Sequence, residues 1–153
     1  MASHVRAHYQ GELAELEVRA LGGLDLVTET LTRTLEAIER SDIEHAEMVI
    51  ADDDRIDGRY LEVHESILTL LATQQPVATD LRLLAALLHV MKSIERMGEQ
   101  CVNIAKVIPL SGHEPPSDEE MVRDVVTMGR QARSLVSQAK RGFAERDVEL
   151  SRD

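Results

Sequence analysis

The sequence predicts an all-α fold: an antiparallel bundle of three long helices, followed by a fourth helix that begins a second, incomplete bundle. Three observations carry this expectation. Glu, Leu, Ala, Arg and Met dominate, and β-branched runs are short. Apolar residues recur every three or four positions over long stretches. Proline occurs only at 76, 109, 115 and 116, leaving two long segments before residue 109 and one after 116.

The first helix is expected from about Tyr9 to Arg40, on the stripe Leu13, Leu16, Ala20, Leu24, Val27, Leu31, Leu35 and Ile38. Gly22-Gly23 interrupts it, and reads first as a weak point or kink. Close approach of a neighbouring helix is the alternative. Ser41-Asp42-Ile43-Glu44 has the spacing of a capping box, with Ser41 as N-cap. The second helix is expected from about Asp42 to Ala72, about 45 Å long, with Ala46, Ile50, Leu61, Leu68 and Leu71 as its stripe. Thr79 or Pro76 opens the third, which runs to about Val107. Short loops between long helices imply antiparallel neighbours. Pro109 to Ser117 reads as a linker, and Ser117-Asp118-Glu119-Glu120 as a second capping box opening a helix to about Glu145. The organisation is therefore residues 9–108 as one bundle, 109–117 as linker and 118–153 as the start of a second unit. That helix lacks the partners of a complete bundle, so a second copy of the chain is expected to cover its apolar face.

At a constant offset of 105 residues, Phe143 falls on Ile38, Val136 on Leu31, Ala132 on Val27 and Val125 on Ala20. Arg146-Asp147-Val148-Glu149 then resembles Ser41-Asp42-Ile43-Glu44. Any two amphipathic helices align this well, so the matching turn is what points to an internal duplication.

Composition excludes several functions. Lys and Arg number 17 against 28 Asp and Glu, a net charge of −11, which does not suit a nucleic-acid backbone. Aromatics are 2% of the chain and Trp is absent, so stacking platforms for single strands are missing. A single cysteine, Cys101, excludes an internal disulfide framework and a Cys-rich zinc site, and reads as a small core residue. No apolar run reaches the roughly 18–20 residues of a membrane span, and Met1 to Glu12 is too polar for a signal peptide. No Gly-rich phosphate loop is present. The Glu-x-x-His pairs of a ferritin-type di-metal oxidase or metal-storage bundle are absent as well. His64 falls near the apolar stripe, which suits a core or interface histidine better than a phospho-acceptor.

The third helix carries the strongest anomaly. Leu81, Leu88 and Glu95 share a heptad position, and Glu99 follows one turn on. Asp53 and Asp57 have the same spacing on the second helix. With the hairpin folded about residue 76, opposed residue numbers add to about 152. Asp57 then faces Glu95, and Asp53 faces Glu99. Four carboxylates at one level require a counter-charge or raised pKa values. All-oxygen donors suit Mg, Mn or Fe, and Asn103, one turn beyond Glu99, adds an amide oxygen. The alternative is a solvent-facing cluster bridged by Arg55, Arg59 or Arg96.

These residues carry a resemblance. Gln75-Pro76-Val77-Ala78-Thr79-Asp80-Leu81-Arg82, Ile94-Glu95-Arg96-Met97-Gly98-Glu99 and Asn103-Ile104-Ala105-Lys106 occur in order, after Ala46, Val49, Ile50, Asp53, Ile56 and Asp57. The chain resembles the PhoU family of regulators associated with bacterial phosphate-specific transport, over about Leu13 to Ala105. The resemblance implies two tandem three-helix bundles and divalent or trivalent metal ions (Fe, Zn, Mn or Mg) at Asp53/Asp57 and Glu95/Glu99. It also implies a regulator rather than an enzyme. Such a regulator acts in the cytoplasm, at the inner face of the membrane, between the phosphate transporter's ATPase and a sensor histidine kinase. Two departures stand out: Glu99 replaces the usual Asp, and the second bundle is not completed by Asp153.

Overall fold

The computed structural model describes residues 2–74, 76–112 and 118–152. It contains α1 (Ala2–Arg40), α2 (Ile43–Ala51), α3 (Asp54–Gln74), α4 (Ala78–Ser111) and α5 (Glu119–Glu145), with no strand among the described residues. The all-helical reading and the three-helix bundle both hold. On α1 the stripe Leu13, Leu16, Ala20, Leu24 and Val27 is buried, facing Ile56, Val63, Ile67 and Leu70 of α3 and Leu84, Leu87, Met91 and Ile94 of α4, and Leu31 and Leu35 continue it against Cys101.

The expected second helix is two helices. The run Asp52-Asp53-Asp54 is a poor place to continue a helix, because short acidic side chains compete for backbone groups. The ladder gives way to tighter turns there: Asp53 N donates to Ile50 O at 3.4 Å and Ile56 N to Asp53 O at 3.2 Å. Arg33 of α1 fixes the turn, its Nη1 donating to Asp52 Oδ2 at 2.5 Å, while Arg55 reaches back to Glu29. The break resets the helical phase. Leu61 and Leu68, expected in the core, are 57% and 50% exposed, and Ile56, Val63, Ile67 and Leu70 are buried instead. A similar correction applies to α4. Its buried row is Leu84, Leu87, Met91, Ile94, Gly98 and Cys101, while Leu81 is 46% exposed. Glu95 therefore borders the core rather than interrupting it.

The helix caps also shift. Asp42, not Ser41, is the N-cap of α2, accepting from His45 N at 2.9 Å. Asp118 caps α5 by accepting from Met121 N at 3.0 Å, and the expected cap Ser117 lies outside the described residues. Helix α4 runs through Pro109 to Ser111. A proline in the last turn costs only one ladder bond, so the linker begins later than the proline suggested. Helix α1 continues unbroken through the Gly22-Gly23 pair. A Cβ at Gly23 would lie 3.1 Å from Ile94 Cδ1, which marks a close approach of α1 and α4.

Helix α5 lies along α1. Leu35 packs on Gly129, and Arg130–Glu39, Lys140–Asp25 and Arg146–Glu17 ion pairs run down the seam. The two turns 105 residues apart agree bond for bond. Ser41 and Arg146 both have positive φ, 51° and 57°. Asp42 N and Asp147 N donate to Ala37 O and Gly142 O at 3.0 and 2.9 Å. Asp42 and Asp147 accept from His45 N and Leu150 N. A shared helix period cannot produce matching turns, so this agreement favours duplication over chance alignment.

Candidate functional site

The α3–α4 hairpin positions the expected carboxylates. Its register holds: Tyr60 and Lys92, opposed in the folding arithmetic, meet with the ammonium 5.9 Å from the ring centroid. Helices α3 and α4 approach closely here because Gly98 has no side chain. A Cβ at that position would lie 2.6 Å from Ile56 Cδ1. The glycine between Glu95 and Glu99 thus sets the distance across which the carboxylates face each other.

Asp57 is the electrostatic centre of the group. Desolvation raises its pKa above the usual carboxylate value, and the charges of Asp53, Glu95 and Asp54 raise it further, against a lowering by Lys92. Asp53 lies in the turn between α2 and α3, half-buried. The Glu95 side chain is 24% exposed and accepts from Lys92 Nζ at 2.7 Å. Glu99 and Asn103 follow on α4 as exposed residues. The structure thus brings Asp53, Asp57 and Glu95 within mutual influence. Among the described residues, no three His, Cys, Asp or Glu side chains are gathered closely enough to hold an ion together. Its donors are carboxylate oxygens, the kind a hard cation takes, and the Asp57 carboxyl is raised first by burial and then by its acidic neighbours.

The bridging cations proposed from sequence are engaged elsewhere. Arg55 pairs with Glu29 and Asp52, and Arg59 with Glu62 and the carbonyl of Arg19. Arg96 lies on the far flank of α4, lining a groove of about 500 Å³ with Val27, Leu31, Met97, Cys101 and Val136. The cation that does reach the carboxylates is Lys92, which sequence reasoning passed over. Its signal was legible: it precedes Glu95 by three residues, one helical turn, and opposes Tyr60. His64 is half-buried and stacks on Tyr60 of its own helix at 5.7 Å between centroids.

The remaining motif residues are structural or peripheral to this level. Pro76 precedes α4, and Gln75 lies outside the described residues. Asp80 is in the first turn of α4, where a negative charge suits the helix dipole, and it adds to burial, the larger cause, in raising the Tyr9 phenol. Arg82 is exposed. Cys101 is buried, which pushes its thiol up to about 11 and leaves it unreactive at neutral pH.

Comparison with known proteins places this arrangement. The family model described as the PhoU domain matches residues 23–108. The chain is 30% identical over 145 residues to the phosphate-specific transport system accessory protein PhoU homolog of Clostridium acetobutylicum, covering 94% of this chain and 65% of that protein. It is 34% identical over 134 residues to the homolog of Streptococcus pneumoniae, covering 87% of this chain and 61% of that one. The crystal structure of the phosphate transport system regulatory protein PhoU from Streptococcus pneumoniae superposes with a TM-score of 0.82 at 27% identity, over 93% of this chain and 66% of that one. The chain thus spans just under two thirds of the length of these relatives. With the family match running from the middle of α1 to the end of α4, and the motif residues on the hairpin it covers, the chain belongs to the PhoU domain family.

Proposed function

We propose that this protein is a regulator of phosphate uptake and of the phosphate-starvation response, a stoichiometric adaptor between a phosphate transporter's ATPase and a sensor histidine kinase. The observation that supports it is the family match over residues 23–108, whose relatives are named as accessory proteins of phosphate-specific transport. Such an adaptor binds one state of a two-state partner more tightly than the other, and needs no catalytic group. It works at the cytoplasmic face of the membrane, as a homo-oligomer. No helix among the described residues is long and apolar enough to cross a membrane, which suits a peripheral role.

The carboxylate level of the hairpin is its metal site. Asp53, Asp57 and Glu95 supply the donors nearest the Asp57 charge centre, with Glu99 and Asn103 one and two turns further along α4. A bound divalent or trivalent ion (Fe, Zn, Mn or Mg) would neutralise the group and clamp α3 to α4. The Asp57 carboxyl, raised first by burial and then by the charges of Asp53, Glu95 and Asp54, supports this reading.

Deletion of the gene tests the regulatory role. Expression of a phosphate-starvation reporter should rise in high-phosphate medium, and the purified protein should retain both the transporter ATPase and the sensor kinase. An unchanged reporter together with no retention of either protein would refute the adaptor role.

A further inference from the structure

We propose that the exposed face of α5 is a self-complementary seam that pairs, antiparallel, with α5 of a second copy of this chain. This rests on the homo-oligomer of the reading above and names the surface that forms it. The seam is Met121, Val125, Met128, Ala132, Leu135 and Ala139, in alternating steps of four and three residues along one side of the helix. Met121, Met128 and Leu135 are more than half exposed, Ala132 and Ala139 are exposed, and Val125 is half-buried. Other apolar residues of α5, Gly129, Val136 and Phe143, make its contact with the first bundle. The tail after α5 is tied to Gln138 and Gly142 and leaves the seam open. The 105-residue offset sets Met121 on Leu16, Val125 on Ala20 and Ala132 on Val27, all three buried in the first bundle. The seam thus has the composition of a core face.

Its fit to its own copy follows from the pairing arithmetic. Turned antiparallel about Arg130, the six residues pair among themselves: Met121 with Ala139, Val125 with Leu135 and Met128 with Ala132, each pair of numbers adding to 260. Every larger side chain meets a smaller one, so the two helices can interdigitate at close range. A two-fold axis through the pair makes the contact isologous. Charge agrees with this direction. The acidic first turn, Glu119 and Glu120, comes beside the basic end that carries Lys140 and Arg141. On the open flank Gln131 meets its own copy and Asp124 meets Gln138, so no like charges oppose. A parallel pair would instead set Asp124 on Asp124 and methionine on methionine. Beside the seam, Met97 and Ile104 line the groove between α4 and α5 with Ala132, adding apolar surface for the second helix. Fewer than three heptads make a weak pair, with a Kd of about 1–100 µM. Denaturant unfolding at lower concentration therefore reads the monomer, with its seam bare.

The test is sedimentation equilibrium of the 153-residue protein across that range, with each variant checked for unchanged helicity by circular dichroism. The wild type should dimerise. Met128→Glu and Leu135→Glu, each placing a charge in the seam, should weaken the dimer at least about tenfold. Met48→Glu, at an exposed methionine of α2, should leave it unchanged. Oxidative cross-linking reads the direction, because Cys101 is buried and stays out of the reaction. Gln131→Cys should cross-link to its own copy and Gln138→Cys should not. Equal cross-linking of both would overturn the antiparallel seam in favour of a parallel pair. A dimer that survives Met128→Glu and Leu135→Glu would overturn the seam while the homo-oligomer stands. A wild type that is monomeric throughout would end both, leaving the regulatory role to the reporter experiment.

Discussion

Helices α4 and α5 are both long and both amphipathic, yet they bury their apolar faces to very different extents. Helix α4 buries nine residues, among them Leu84, Leu87, Met91 and Ile94, against α1, α2 and α3. Helix α5, the more strongly amphipathic of the two, buries only Val126 and Gly142, and leaves Met121, Met128 and Leu135 exposed at heptad spacing. Its half-buried Val136 and Phe143 pack on the core and its Gly129 meets Leu35, while the Arg130–Glu39, Lys140–Asp25 and Arg146–Glu17 ion pairs edge the seam with α1. Amphipathicity states which face a helix would bury; only a neighbour with a complementary face makes the burial happen. Apolar docking scales with area and resists salt, whereas exposed ion pairs give little and are screened.

Truncating equivalent side chains in the two regions should separate them most clearly. Ile94→Ala removes a fully buried side chain at the α1–α4 contact and should cost about 2–5 kcal/mol in denaturant unfolding. Met128→Ala on α5 should fall within about 0.5 kcal/mol of wild type. Comparable losses at both positions would mean that the exposed face of α5 is covered in solution, as a second copy of the chain would do. Gly98→Ala follows in size. The added methyl gains roughly 1 kcal/mol of helix propensity but must displace the stiff Ile56 side chain 2.6 Å away, at a cost of about 1–3 kcal/mol. A net loss of about 1 kcal/mol is expected, and a net gain would show that α3 and α4 can separate freely. Amide exchange should then rank the helices, with α5 opening faster than α4, and more so as salt rises. Equal protection in a proven monomer would contradict the comparison.

What was legible in the sequence follows the same division. The apolar stripe of α1 is uninterrupted and was read almost residue for residue. Helix α3 was misread at Leu61 and Leu68 because a periodic pattern carries no mark of a phase change. The break at Asp52-Asp53 depends on Arg33, which is distant in sequence. The caps missed by one residue for a local reason: Ser41 and Asp42 both suit an N-cap, and the positive φ at Ser41 decides for Asp42. The facing of Asp57 and Glu95 was legible because a short hairpin fixes register. The Lys92–Glu95 pair was legible in the i, i+3 spacing but went unread, because a lysine on an exposed helix face looks like any other until its partner across the hairpin is known.

Within α4 the comparison recurs on a smaller scale, between the apolar row that meets α1 and the flank that carries Glu95 and Glu99. The smallest expected effect lies on that flank. The pKa of Asp57 is raised in the folded state, so the native protein binds its proton more tightly than the unfolded chain. Its ionisation then costs stability as pH rises from the unfolded value through the raised folded one, and the cost is relieved below both. Asp57→Asn should therefore stabilise the metal-free protein slightly at neutral pH, by less than about 1 kcal/mol because solvent screens the site, and raise its melting temperature accordingly. The gain should vanish at pH values below the unfolded carboxylate range.

The most direct test of the carboxylate level as a metal site is calorimetric melting with and without Mn, Fe, Zn or Mg ions at millimolar concentration. A ligand that binds only the folded state stabilises it by mass action. The wild type should melt higher with at least one of these ions and return to its metal-free value with a chelator, and Asp57→Asn/Glu95→Gln should show no response. A wild-type melting temperature unchanged across all of them would contradict the metal site, leaving the helical fold as it stands.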